Sequence, residues 1–158
     1  MVSLIVANHL WAYARQIKRG YITTNDAGTL LERDPDTVRG PDVAYFTDAH
    51  RFEDLHPKYG EQPPVLAVKV LSPTDRVNRV LQKVDDYLKN GVRMVWLIDP
   101  EDKTVRIYRP GLSPLTLAGD MEIDGGDALP GFRCQVGEFF RLPGDNPPAT
   151  PANAPATS

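Results

Sequence analysis

The sequence predicts an α/β fold (α+β in the wider sense), with a central mixed sheet and helices on its faces. Residues 65–71 and 92–98 are apolar on both faces of an extended chain, as in strands covered on both sides. An amphipathic helix separates them, with these side chains on one arc: Val77, Val80, Leu81, Val84, Tyr87 and Leu88. The order of elements along the chain, helix, hairpin, two strands, helix and two strands, predicts a mixed sheet with helices on its faces.

The first third of the chain predicts a helix followed by a hairpin. Apolar residues recur every three or four positions from Val2 to Arg19, and Gly20 is a suitable stop. Tyr21–Thr24 and Thr29–Glu32 have strand character, and the residues between them, Asn-Asp-Ala-Gly, favour a turn.

The middle of the chain predicts a strand, a loop and a capped helix. Asp42–Phe46 has strand character, and the charged loop Thr47–Pro64 has room for one helical turn. Ser72–Asp75 resembles a helix start, since the serine can cap, the proline suits the first turn and the aspartate can close a capping box. Asn90-Gly91 should end that helix.

Past the second buried strand we expect smaller β elements. Asp99–Asp102 suits a hairpin turn, and Thr104–Arg109 alternates apolar and polar residues as an edge strand would. Leu115–Ala118 and Met121–Ile123 are short strand candidates, and Phe132–Leu142 is a closing segment.

Length and composition indicate one globular domain over residues 1–142 and a disordered tail rich in Pro, Ala and Thr over residues 143–158. The net charge of −3 gives no strong non-specific attraction to phosphate. The single cysteine, Cys134, fits a reducing compartment and a buried apolar role. The N-terminus suits neither a signal peptide nor a membrane span, so a cytoplasmic location is expected.

Three residues are candidates for chemistry. Asp42 opens one predicted strand, Lys69 is the one polar residue inside the next, and Lys83 lies at the edge of the apolar arc of the helix. Carboxylates on neighbouring strands hold Mg²⁺ in phosphodiester nucleases, and a nearby lysine stabilises charge on the phosphate. The plainer interpretations are a loop-closing aspartate, a lysine snorkelling at a sheet edge and a solvated helix lysine.

Several separated motifs resemble the Uma-two family of restriction endonucleases, in the same order, from about Val2 to Phe140. They are residues 33–44 (RDPDTVRGPDVA), residues 68–75 (VKVLSPTD), Lys83, Tyr87, Gly91-Val92, residues 96–100 (WLIDP) and residues 129–132 (LPGF). The resemblance implies a restriction-endonuclease-like fold of the PD-(D/E)XK type. It also implies that Asp42 is the metal-binding aspartate and Lys83 the catalytic lysine.

The sequence departs from this family at two points. Lys69 stands where the family has its metal-binding glutamate, and an ammonium cannot ligate Mg²⁺. The family's upstream Glu-containing segment precedes the first residue here, so we expect an N-terminal acid and part of the sheet to be missing. We therefore predict that Lys69 forms an ion pair with Asp42 and supplies the cation of the site.

Three functions compete at this stage. The first is a Mg²⁺-dependent DNA endonuclease that hydrolyses phosphodiester bonds, a homodimer by analogy with restriction enzymes. The second is an inactive member of the same fold that binds nucleic acid or another partner. The third is a domain with no role on nucleic acid, and a salt-sensitive DNA complex would exclude it.

Overall fold

The computed structural model describes residues 1–24, 40–55 and 62–145. Its main feature is a six-stranded sheet in the order β1-β2-β3-β4-β5-β6, in which β3 and β4 are parallel and the other neighbours antiparallel. This is the predicted mixed sheet. The strands are β1 (Tyr21–Thr24), β2 (Val43–Phe46), β3 (Leu66–Val70), β4 (Met94–Asp99), β5 (Thr104–Tyr108) and β6 (Leu115–Ala118).

Helix α1 (Val2–Ile17) is the predicted N-terminal helix, two residues shorter than its periodicity indicated. It ends at Lys18, which adopts a left-handed conformation with φ of 56°. Gly20 follows with φ of 84°, and its backbone lies against Tyr45 and the Phe46 carbonyl oxygen. A left-handed residue in contact with a neighbouring strand is a position for glycine, so this turn fixes how α1 leads into β1.

The hairpin predicted from Tyr21 onward can be compared with the structure in its first arm only. Strand β1 forms, but it pairs with β2, with Tyr21 opposite Phe46 and Thr24 opposite Val43. The second predicted arm, Thr29–Glu32, lies outside the described residues. The pairing of β1 with β2, whose four side chains are all buried, was not predicted from the sequence, since local patterns do not encode a partner so far along the chain.

The crossover from β3 to β4 is the predicted helix α2 (Val77–Lys89), but it begins later than the capping pattern indicated. The Asp75 N–H donates to the Ser72 carbonyl (3.0 Å), and the Asp75 carboxylate accepts from the Ser72 N–H (2.8 Å). These bonds close a turn, and the helix starts two residues after it. The end of α2 at Asn90 is as predicted.

The prediction of an edge strand at Thr104–Arg109 is also wrong. Strand β5 lies between β4 and β6, so β6 forms this end of the sheet. A separate two-stranded sheet follows, made of β7 (Glu122–Asp124) and β8 (Arg133–Gln135). A 3₁₀ helix at Val136–Phe140, the closing 3₁₀ helix, completes the described chain.

The main sheet carries an apolar layer on each face. On one face α1, the small sheet and the closing 3₁₀ helix surround Trp96, whose ring contacts Phe132 and Phe139. On the other face α2 packs on Ala67 and Val95. The tail predicted from residue 143 lies outside the described residues beyond Asp145. Across the described ranges, no helix combines the length and apolarity needed to cross a membrane.

Candidate functional site

Asp42 immediately precedes β2 and is bonded to β3 through both its backbone and its side chain. Its N–H donates to the Val68 carbonyl (2.8 Å), and its Oδ2 accepts from the Val70 N–H (2.6 Å). The register pairs Val43 with Val68, so one further step places Asp42 opposite Lys69 on the α2 face of the sheet. The strand pairing therefore brings together the two residues singled out in the sequence.

Lys69 forms ion pairs with two carboxylates. Its Nζ lies 3.8 Å from Asp42 Oδ2 and 3.7 Å from Asp75 Oδ2. The three side chains are mostly shielded from water, with 19%, 13% and 24% of their surfaces exposed for Lys69, Asp42 and Asp75. The predicted contact with Asp42 is present, and the lysine bridges two acids on separate segments.

Asp75 is the residue of this cluster that the sequence analysis missed, because it was assigned to a capping box. Partial burial opposes its ionisation, but the Ser72 N–H and the Lys69 ammonium outweigh burial and lower its pKa below the ordinary 3.8. The carboxylate is therefore charged at neutral pH. The available signal was an acid six residues past Lys69, in the turn that follows the same strand.

Lys83 lies on α2, one turn before Tyr87. Its Nζ is 6.0 Å from the centre of the Tyr87 ring, the outer limit of a cation–π contact. Tyr87 is buried, and burial raises its pKa, with the charge of Asp42 adding to the effect. Lys83 and Asp42 thus lie beside the same tyrosine.

The donor set does not fit the Mg²⁺ ion that the family resemblance implies. Mg²⁺ takes hard oxygen ligands in a compact octahedron, commonly one or two carboxylates with water. Here the ammonium of Lys69 lies within 3.8 Å of both carboxylates that converge on the site. A lysine ammonium carries no lone pair to donate and repels a divalent cation, so its position between the two carboxylates opposes the binding of Mg²⁺ there.

The architecture is that of a nuclease fold. It is similar to the crystal structure of "a putative nuclease belonging to DUF820 from Anabaena variabilis ATCC 29413", with a TM-score of 0.70 and 16% identity. The match covers 88% of this chain and 78% of that one. At this identity the likeness defines the fold alone.

The family follows from the sequence. Residues 2–137 match the model of the Uma2 family, described as "Putative restriction endonuclease", and the chain belongs to that family. The comparison with curated proteins found no match. The predicted restriction-endonuclease-like class is therefore confirmed, while the roles of Asp42, Lys69 and Lys83 stay predictions.

Proposed function

We propose that this protein binds DNA through a nuclease fold whose metal position is filled by its own lysine, so that it holds phosphodiesters without hydrolysing them. The observation that carries the proposal is the Lys69 ammonium, 3.7–3.8 Å from the carboxylates of both Asp42 and Asp75. Hydrolysis by this class of fold depends on an ion that polarises the phosphate and activates water. An ammonium can do neither by coordination.

The surface beside the cluster supports binding to a nucleic acid. Arg76 and Arg79 are exposed at the start of α2, directly after Asp75. No side chain caps the first turn of this helix, and its free N–H groups add a partial positive charge. Two guanidinium groups and a helix N-terminus form a local phosphate-binding surface that the overall charge of −3 conceals.

The binding test is fluorescence anisotropy with labelled duplex DNA over a range of salt concentrations. Arg76→Ala combined with Arg79→Ala should weaken binding and reduce the salt slope by about 1 for each lost phosphate contact. The matched control, Arg15→Ala with Arg19→Ala, removes two exposed charges at the end of α1 and should leave both quantities unchanged. Absence of a salt-sensitive complex with the unaltered chain would refute the DNA proposal.

A second candidate is the Mg²⁺-dependent endonuclease that the family resemblance implies. The observation in its favour is that Asp42 and Asp75 converge on one point, which two carboxylate ligands of a metal would also do. Movement of Lys69 out of the cluster would leave both acids available. Asp42, Lys69 and Lys83 are the residues we expect to control activity in that case.

Calorimetric titration with Mg²⁺ and Mn²⁺ distinguishes the two candidates. We expect no binding by the unaltered chain and binding by Lys69→Glu, followed by cleavage of duplex DNA in the variant alone. Lys89→Glu, which replaces an exposed lysine at the end of α2, controls for the change in net charge. Metal-dependent cleavage by the unaltered chain, abolished in Asp42→Ala, would instead establish the endonuclease.

We further expect a homodimer, by analogy with nucleases that cut two strands. Leu4 and Trp11, two turns apart on the outer side of α1, are exposed apolar side chains that a second copy would cover. Sedimentation equilibrium should detect the dimer, and Leu4→Glu with Trp11→Glu should weaken it. A monomer at all concentrations would contradict this expectation.

A further inference from the structure

A second cluster of ligand-type side chains lies on the opposite face of the sheet from Lys69. His9 projects from α1, Cys134 from β8 and Glu138 from the closing 3₁₀ helix. With one donor atom taken from each residue, the three donors lie within 4.8 Å of one another. Within residues 1–24, 40–55 and 62–145, no other group of three such residues meets this criterion.

We propose that His9, Cys134 and Glu138 form a binding site for Zn²⁺. Nitrogen, sulfur and carboxylate oxygen are the three ligand types that zinc takes in proteins, and three protein ligands leave a fourth position for water. The soft sulfur donor favours zinc over Mg²⁺ or Ca²⁺. This site shares no residue with the Lys69 cluster and does not depend on the proposed function.

The distances are close to those of a tetrahedral site. Zinc bonds of ordinary length to sulfur and nitrogen place those two atoms about 3.6 Å apart. The Cys134 Sγ lies 3.8 Å from His9 Nδ1, and the Glu138 Oε2 lies 3.7 Å from His9 Nε2. Since zinc takes one ring nitrogen, one of these two partners must shift around the imidazole on binding.

The packing indicates which ligand moves. Cys134 is buried in a strand, and the Phe139 ring lies edge-on to His9 at 5.5 Å, which restrains the imidazole. Glu138 has 45% of its side chain exposed and can swing toward Nδ1. The sulfur and the imidazole therefore form the fixed part of the site, and Glu138 closes it from the solvent side.

Zinc binding must release the thiol proton. Burial raises the pKa of Cys134 to about 12, and the charges of Glu138 and Glu122 act in the same direction. In the metal-free protein the thiol donates to the Gln135 carbonyl (3.3 Å). On binding, the S–H bond breaks, the proton passes to solvent, and the sulfur lone pair forms the bond to zinc.

The release of the thiol proton sets the pH dependence of zinc binding. The titratable groups around the sulfur are His9 on α1, Glu138 on the closing 3₁₀ helix and Glu122 on β7. Because one thiol proton leaves per metal ion, the apparent dissociation constant should fall about tenfold between about pH 7.5 and pH 8.5. A bound ion held by oxygen and nitrogen alone would give a smaller dependence.

The experiment is a titration of the full chain with Co²⁺, a coloured substitute for zinc, followed by competition with Zn²⁺. We expect a thiolate-to-cobalt charge-transfer band, absent in Cys134→Ser and bleached by Zn²⁺. His9→Gln and Glu138→Gln should each weaken cobalt binding at least tenfold. Loss of a group that only orients a metal ligand already lowers affinity by about tenfold or more, and loss of a direct ligand should cost no less. Glu101→Gln and His50→Gln, exposed residues outside the cluster, serve as matched controls.

A titration without the charge-transfer band would overturn the proposal. The proposal would also be overturned if the cobalt affinity measured from this band were unchanged in both His9→Gln and Glu138→Gln. If Cys134→Ser does not fold by circular dichroism, the exposed Glu138→Gln variant together with the proton release decides the question. Because neither DNA nor Mg²⁺ enters this experiment, its failure is separate from failure of the proposed function.

Discussion

At the scale of single residues, Lys69 supplies the positive charge that Asp42 and Asp75 share. Lys69→Met should destabilise the protein by about 3 kcal/mol, because the shielded carboxylates of Asp42 and Asp75 lose their common counter-charge. Urea denaturation at neutral pH measures this. Lys89→Met breaks the exposed pair with Asp85 and should have little effect, since solvent screens that pair. Equal losses in both variants would contradict the interpretation.

Asp75 should make stability depend on pH in the acid range. Folding lowers the pKa of this carboxyl group, so its contribution is present above the ordinary value of 3.8 and is lost as pH falls through the lowered value. Unfolding free energies of the unaltered chain and Asp75→Asn should therefore differ at neutral pH and converge as the pH falls through the lowered pKa. A difference that stays constant down to low pH would show that the carboxylate charge is not involved.

The sequence predicted part of this cluster. Asp42 and Lys69 were expected to meet because strand spacing and the family motifs agree on their positions. Asp75 was missed because the same residue fits a capping box, and only the folded turn shows its carboxylate accepting from Ser72 while facing Lys69. The proposed zinc ligands could not be predicted from the sequence, since His9 and Cys134 are 125 positions apart and come together only through tertiary packing.

At the scale of elements, the turn between α1 and β1 depends on Gly20. Gly20→Ala should lower the free energy of unfolding by more than about 1 kcal/mol. An added Cβ would be strained at φ of 84° and would lie 2.7 Å from the Tyr45 ring. Gly111→Ala is the matched control, with φ of 71° and no atom within 4 Å of its added Cβ. The Gly111→Ala variant should lose only the stability that an alanine at positive φ costs. Thermal unfolding of both variants tests this, and equal losses would exclude a packing role for Gly20.

The sequence predicted which helices and strands form better than it predicted which strands lie beside each other. Periodicity located α1, α2, β3 and β4, because each carries a strong pattern of buried side chains. The edge position predicted for β5 was wrong, since a strand's neighbours depend on long-range competition that alternation does not encode. The predicted start of α2 was wrong because a serine, a proline and an aspartate suit a turn as well as a helix cap.

At the scale of the whole molecule, the central strands β3 and β4 contact both apolar layers, so the two layers should unfold together. Leu10→Ala, in the α1 layer, should cost about 2–5 kcal/mol, and Val84→Ala, in the α2 layer, about 2 kcal/mol. In a Trp11→Phe background the fluorescence of Trp96 reports one layer, while far-UV circular dichroism reports all elements. Coincident urea transitions are expected in both variants, and separate midpoints would contradict cooperative unfolding.

Because Lys69 bridges Asp42 and Asp75, the cation of this cluster belongs to the chain and is not drawn from the surrounding solution. A dissolved ion occupies a site in proportion to its concentration, and it can be lost to any competing chelator. A cation attached to the chain has a fixed effective concentration at its two acceptors and forms with the fold itself. We therefore expect the ion pairs of this cluster to form whatever the concentration of free magnesium. The counter-ion of Asp42 and Asp75 is part of the chain itself, so it neither exchanges nor has to be acquired.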